Sequence, residues 1–207
     1  DVLSGGRLIV GVGVGWLEEE FQALDTQPFN QRGKVTDEYI RMFKILWSEE
    51  NPSFEGDYYS FPPLQFAPKP LQKGGPPIWV GGQSRAAIRR VVRLGNAWHP
   101  VGANPASPLE PKELATEVDY MHSVCERYER DPSELSITMK APIYDVEVVG
   151  DGGRRRFSGD SGQIIEDIIE YENTGVSHII LDTRSSDLQQ FIEKMDWLSR
   201  EVIESFR

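Results

Sequence analysis

The chain has almost no cysteine. Cys125 is the single one among 207 residues, so no internal disulfide can form, and a reducing, cytoplasmic setting is expected. Histidine is nearly as scarce. His99, His122 and His178 are the full set, no Cys/His cluster has metal-ligand spacing, and no metal site is expected. No apolar run approaches the roughly 20 residues that span a bilayer, which excludes a membrane-spanning helix. No signal-peptide pattern opens the chain. A GxSxG nucleophile elbow is also missing. Positive charge is in deficit, 22 Lys and Arg against 33 Asp and Glu, for a net charge of −11. That sign excludes nucleic acid and anionic membrane as partners, since both require a basic face. It does not exclude a small anionic ligand, which responds to local donors. No initiator Met is present, and 1–6 reads as the tail of a helix running into a turn. The natural product is therefore expected to begin upstream.

What the chain does have is a well-formed strand-turn-helix at 76–95, PPIWVGGQSRAAIRRVVRLG. Pro76 and Pro77 stop what precedes them, and Ile78-Trp79-Val80 is an apolar run of strand type. Gly81 and Gly82 make the turn and Ser84 is placed to cap the following helix. The spacing predicts Ala87, Ile88, Val91 and Val92 on one helix face, with Arg85, Arg89, Arg90 and Arg93 on the other. Gly95 is placed as a left-handed stop. First-turn amides and the helix dipole attract anions, and two glycines without side chains admit a phosphate to the backbone. The same residues also describe an ordinary strand-to-helix turn with a good cap, and both readings stay open on spacing alone.

Taken in order, 7–14 is an apolar run suited to a buried parallel strand, with Gly11, Gly13 and Gly15 at its end. It fails the dinucleotide fingerprint, because Trp16 stands where the third glycine belongs. Glu18, Glu19 and Glu20 suit a solvated helix start. Val35, Tyr39, Met42, Phe43 and Leu46 make 33–47 an amphipathic helix. Segment 48–77 carries seven prolines and several aromatics. It reads as a short hairpin about Glu55-Gly56-Asp57 and then an extended excursion. Its aromatics offer a dimer contact. A short strand ends at Trp98 and His99. Leu114, Val118, Met121, Cys125 and Tyr128 line a helix, and 135–149 is a strand region interrupted at Pro142. Arg154, Arg155 and Arg156 read as a solvated turn. A helix over 162–172 closes at Gly175, a strand ends at Asp182, and Leu188, Phe191, Ile192, Met195, Leu198 and Val202 mark a last helix. Strand and helix alternate five times, which implies a parallel sheet wrapped by helices in a single α/β domain over 1–207. A doubly wound sheet and a TIM barrel both fit, although five units are too few for a full barrel of ~250 residues.

The segments SGGRLIVGVGVGWLEEEF, QRGKVTDEYIRMFKILW, FEGDYYSFPPLQFAPKPLQ, PPIWVGGQS and LGNAWHP follow one another in this order. Together they resemble the luciferase-like monooxygenase family, and within it the branch using the deazaflavin coenzyme F420. GQIIEDIIEYENTGVSHIILDT is similar to that family's last helix-strand step, so the resemblance runs from 4 to about 203. It implies an incomplete TIM-type barrel of about five strands, units four to eight, with the hairpin excursion at 48–77. A partner chain would supply the missing strands, or association would cover the open edges, and a homo-oligomer, most simply a dimer, is expected. The resemblance implies a cytoplasmic oxidoreductase that transfers hydride with F420 to a small-molecule substrate. FMN with oxygen, in a monooxygenase, is the alternative, and a catalytically incomplete fragment keeping only the phosphate turn is a third reading. Gly81, Gly82, Gln83 and Ser84 match the family's phosphate-binding turn. Gly11, Gly13 and Gly15 match the strand end beside the cofactor, and Trp98 ends a strand at the mouth. The FMN-using luciferases carry an Arg near Val14, and valine there favours the deazaflavin. His99 is the candidate catalytic group, able to bond the cofactor or move a proton, with a purely structural histidine as the competing reading. His122 and His178 are expected to be structural. Asp182, at a strand's C-terminal end, is a functional candidate or a cap.

Overall fold

The computed structural model describes residues 1–144, 153–183 and 185–207. Its strands and α-helices, in chain order, are β1 Val10–Val12, α1 Glu18–Ala23, α2 Arg32–Ser48, β2 Phe54–Glu55, β3 Ser60–Phe61, β4 Ile78–Gly81, α3 Arg85–Leu94, β5 Ala97–His99, α4 Pro111–Arg127, β6 Ser136–Pro142, α5 Ser161–Glu172, β7 Val176–Asp182 and α6 Leu188–Glu201. Five strands hydrogen bond in the order β1-β4-β5-β6-β7, so β1 and β7 end an open parallel sheet, as in an incomplete barrel. β2 and β3 form a separate antiparallel hairpin, in the place the proline and turn residues of 48–77 predict. Positions 145–149 of the expected 135–149 strand lie outside the described residues. The chain divides into two compact units, Asp1–Trp98 and His99–Arg207.

In the first unit the packing follows the predicted stripe. Ala87, Ile88, Val91 and Val92 of α3 are buried, as are Ile78 and Val80 of β4 against which α3 lies. Each fully buried aliphatic side chain contributes about 1.5–3 kcal/mol. Arg90 corrects the expected charged face. It is buried, donates from Nε to Asp37 and from Nη2 to the Gly33 carbonyl at 2.9 Å, and so ties α3 to α2. Gly95 is a second correction, because its backbone is extended at φ −99° rather than left-handed. A β-carbon there would meet Val80 Cγ2 at 2.9 Å, so close packing requires the glycine. The hairpin rests on Glu38, a fully buried carboxylate that accepts from the amides of Asp57, Tyr58 and Tyr59 at 2.9, 3.0 and 2.7 Å. Its aromatics pair locally: Phe54 stacks on Phe61, and Tyr59 on Tyr39 of α2.

In the second unit α4 begins with a capping box between Glu110 and Glu113, with Pro111 in the first turn where its missing N–H costs nothing. Leu114, Val118, Met121 and Cys125 are buried as the spacing predicts, but Tyr128 caps the helix and is exposed. A second capping box, Asp160 with Gln163, starts α5. Gly175 leads into β7 at φ +95°, a conformation side chains disfavour. The expected solvated turn at 154–156 is overturned. Arg154 grips Asp167 with both terminal nitrogens at 2.7 and 2.8 Å, and Arg156 reaches Glu110, Asp167 and Glu170. Asp167, almost wholly buried, also accepts from the Phe157 amide at 2.7 Å. A buried carboxylate requires such partners. No helix among the described residues is long and apolar enough to cross a membrane.

Candidate functional site

β1 and β4 run parallel with Val12 opposite Val80, so Gly13, just past β1, and Gly81, the last residue of β4, follow that pair at the C-terminal end of the two strands. The turn after β4 is held from two directions. Gly82 sits at φ +108°, and Trp98, fully buried, donates its indole N–H to the Gly82 carbonyl at 2.8 Å. On the other side the Ser84 hydroxyl accepts from the Ala87 amide at 3.3 Å and caps α3. The first-turn amides of a helix lack intrahelical acceptors, and together with the helix dipole they present positive potential at this turn. Gln83 lies between the two anchors, half exposed. Trp98 therefore acts from beneath the turn, through its carbonyl.

The three glycines in and just after β1 divide on a simple criterion. Gly15 has φ +82°, and a β-carbon there would strike the Phe21 ring at 2.7 Å, so backbone and packing account for it. At Gly11 and Gly13 an added β-carbon would meet nothing within 4 Å. Neither packing nor a left-handed backbone explains those two. They leave an uncovered strip of backbone beside the turn, as a ring or chain lying against the strand requires.

In the second unit His99 is half-buried at the end of β5, and its Nδ1 lies 2.7 Å from the Thr138 hydroxyl of β6. Burial pushes its pKa below the ordinary 6.5, and the nearby His178 and Lys140 push the same way. That direction favours the neutral imidazole, the form that accepts a proton. Thr138 is fully buried and stands in register with His178 of β7. Lys140, two residues along β6 and so on the same sheet face, pairs with Asp182 of β7 at 3.0 Å. Asp182 also accepts the Ile143 amide through its carbonyl at 3.0 Å. It is therefore not isolated. His122 is exposed on α4, and His178 is exposed on β7.

Thr138 and Lys140 belong to no motif, which is why sequence reasoning passed over them. The available signal was the alternation along β6, with Thr138 and Lys140 on one face against Met139 and Ala141 on the other. The Arg90–Asp37 and Arg154–Asp167 pairs lacked even that, since each joins residues with no periodic relation.

An open parallel five-stranded sheet with its glycine turn at the strand C-termini is the arrangement of an incomplete (β/α) barrel. The profile of one family, described as luciferase-like monooxygenase, matches residues 1–145, and the chain belongs to that family. An FMNH(2)-dependent dimethylsulfone monooxygenase of Pseudomonas putida is 38% identical over 113 residues, 53% of this chain and 31% of that protein. The chain therefore spans about a third of the length of that relative. Among solved structures, monooxygenase RslO1 from Streptomyces bottropensis superimposes with a TM-score of 0.80 at 20% identity, covering 100% of this chain and 71% of that one. An F420-dependent secondary alcohol dehydrogenase in complex with an F420-acetone adduct gives 0.75 at 17%, covering 97% and 70%.

Proposed function

We propose that the chain is the cofactor-holding part of an oxidoreductase that uses F420, with the turn 81–84 binding the cofactor's phosphate. The observation that carries this is the doubly anchored turn: Trp98 under Gly82, Ser84 capping α3, and the bare backbone of Gly11 and Gly13 alongside. Gly81, Gly82, Gln83 and Ser84 would hold the phosphate, and Gly11 and Gly13 would admit the ring-bearing chain. When bound, the cofactor supplies the electron chemistry, hydride transfer for a deazaflavin. The chain supplies position, and at His99 a neutral imidazole able to accept a proton at Nε2 while Thr138 engages Nδ1. Valine at position 14 and the fold shared with an F420-dependent dehydrogenase support this cofactor.

A second reading has one observation of its own. The 38% identical relative is FMNH(2)-dependent, which supports reduced FMN and a monooxygenase reaction. Titrating the chain with F420 and with FMN, followed by fluorescence, decides between them. Tighter F420 binding is expected, tighter FMN binding selects the second reading, and binding of neither refutes both. Gly13→Val serves as the internal control. Nothing packs on that position, so unfolding stability should stay within about 0.5 kcal/mol while cofactor affinity falls at least tenfold. Unchanged affinity would remove Gly13 from the site.

A further inference from the structure

In the second unit, His99 at the end of β5 and side chains of the parallel strands β6 and β7 present a row of proton-bearing groups. His99 at the end of β5 bonds Thr138 of β6, and Thr138 is opposite His178 of β7. The row passes from half-buried His99 through fully buried Thr138 to exposed His178. Neighbouring strands lie about 4.8 Å apart, so consecutive members stand within reach of one another. Lys140 and Asp182 flank the row as an ion pair. Among the described residues, the charged or titratable groups acting on His99 from β6 and β7 are His178 and Lys140, with Asp182 paired to Lys140.

We propose that His99, Thr138 and His178 form a proton-transfer row, in which His99 takes a proton from substrate and Thr138 and His178 pass one to solvent. It rests on the reading of His99 given above. The proton balance is closed. Nε2 of His99 gains a proton as Nδ1 gives its own to the Thr138 oxygen, which releases its hydroxyl proton to His178. His178 then discharges to water, and no residue ends with a changed charge. A histidine at the exposed end suits the last step, because an imidazole exchanges protons with water near neutral pH. The Lys140 ammonium disfavours a lasting positive charge on His99, so a proton that arrives is passed on rather than kept.

With three histidines in the chain, ring-nitrogen NMR titration of the full polypeptide is assignable, and the exposed His122 is the built-in reference. The wild-type His99 midpoint is expected below 6.5, rising in His178→Gln and in Lys140→Met while His122 stays put. Thr138→Ser should keep the His99 tautomer, whereas the isosteric Thr138→Val should mix the two. In cofactor-loaded protein, His178→Gln should slow turnover at least fivefold in dilute buffer, with KM unchanged and with rescue by added imidazole. A His99 midpoint indifferent to both substitutions, or Ser and Val at 138 behaving alike, overturns the row. Those outcomes leave cofactor binding intact. Failure of the oxidoreductase reading would instead appear as lost cofactor binding with the His99 coupling preserved.

Discussion

At the scale of single residues, two side chains carry measurable consequences of where they sit. Tyr39 and Tyr59 stack with ring centroids 5.1 Å apart and share a hydrogen bond of 2.7 Å between their hydroxyls. That bond, with burial behind it, pushes the Tyr39 hydroxyl up to about 12. Tyr59→Phe should bring its ionisation back towards the ordinary 10, read by ultraviolet absorbance on raising pH; an unmoved titration would show that the bond does not form. His99 works with the opposite sign. Its folded pKa lies below the unfolded 6.5, so beneath that pH the unfolded chain binds more protons than the native one. The contribution is complete above pH 6.5 and is lost as pH falls from there towards the folded value. Urea unfolding at pH 7.5 and 5.5 should therefore show a steeper loss in the native chain than in His99→Gln. Equal losses would show that His99 is not desolvated.

At the scale of elements, the hairpin of β2 and β3 is too short to stand alone, and Glu38 is what holds its turn. One ionised carboxylate takes three backbone donors, each such charge-assisted bond being stronger than a neutral one. Glu38→Gln keeps the shape but brings an NH₂ group against donors. A loss of about 1–3 kcal/mol is expected, with the amides of residues 57–59 exchanging faster by hydrogen exchange. Equal protection in both proteins would show that the carboxylate is dispensable. Glu38 also shows where legibility in the sequence stops. The strand at 78–80, the Ser84 cap, the Gly175 turn and the buried stripe of α3 were all readable, because each depends on neighbours within a turn or two. Glu38 was not, since its partners begin 19 residues later. Arg90 was assigned to solvent because its partner Asp37 lies 53 residues away. Arg154 and Arg156 looked like a solvated run because charge without a visible partner reads as exposed. Of the candidate site, the glycine turn at 81–84 with its Ser84 cap was legible as a local motif. Its support by Trp98 and the alignment of His99 with Thr138 depend on strand register, which the composition of single strands does not determine.

At the scale of the whole molecule, apolar surface collects where the sheet ends. β7 is a terminal strand, and Ile180 on it, with Ile192, Met195, Ile203 and Phe206 of α6 and the C-terminal turn, are all at least 40% exposed. β7, α6 and that turn line an apolar hollow of about 890 Å³. A terminal strand beside exposed apolar side chains is a template for pairing. The hairpin aromatics, by contrast, already pair with each other and with α2. We therefore expect the chain to associate with a second copy through β7 and α6, rather than through 48–77. A charge placed in that face should oppose association, since it would have to be desolvated on contact. Met195 is half exposed in the single chain, so Met195→Glu should cost it less than about 1 kcal/mol. Sedimentation velocity at rising concentration should show the native chain growing in mass and Met195→Glu remaining a monomer. Tyr58→Ser with Tyr59→Ser should sediment like the native chain. Loss of association in that double variant, or a native mass independent of concentration, would exclude the β7 and α6 face as the interface.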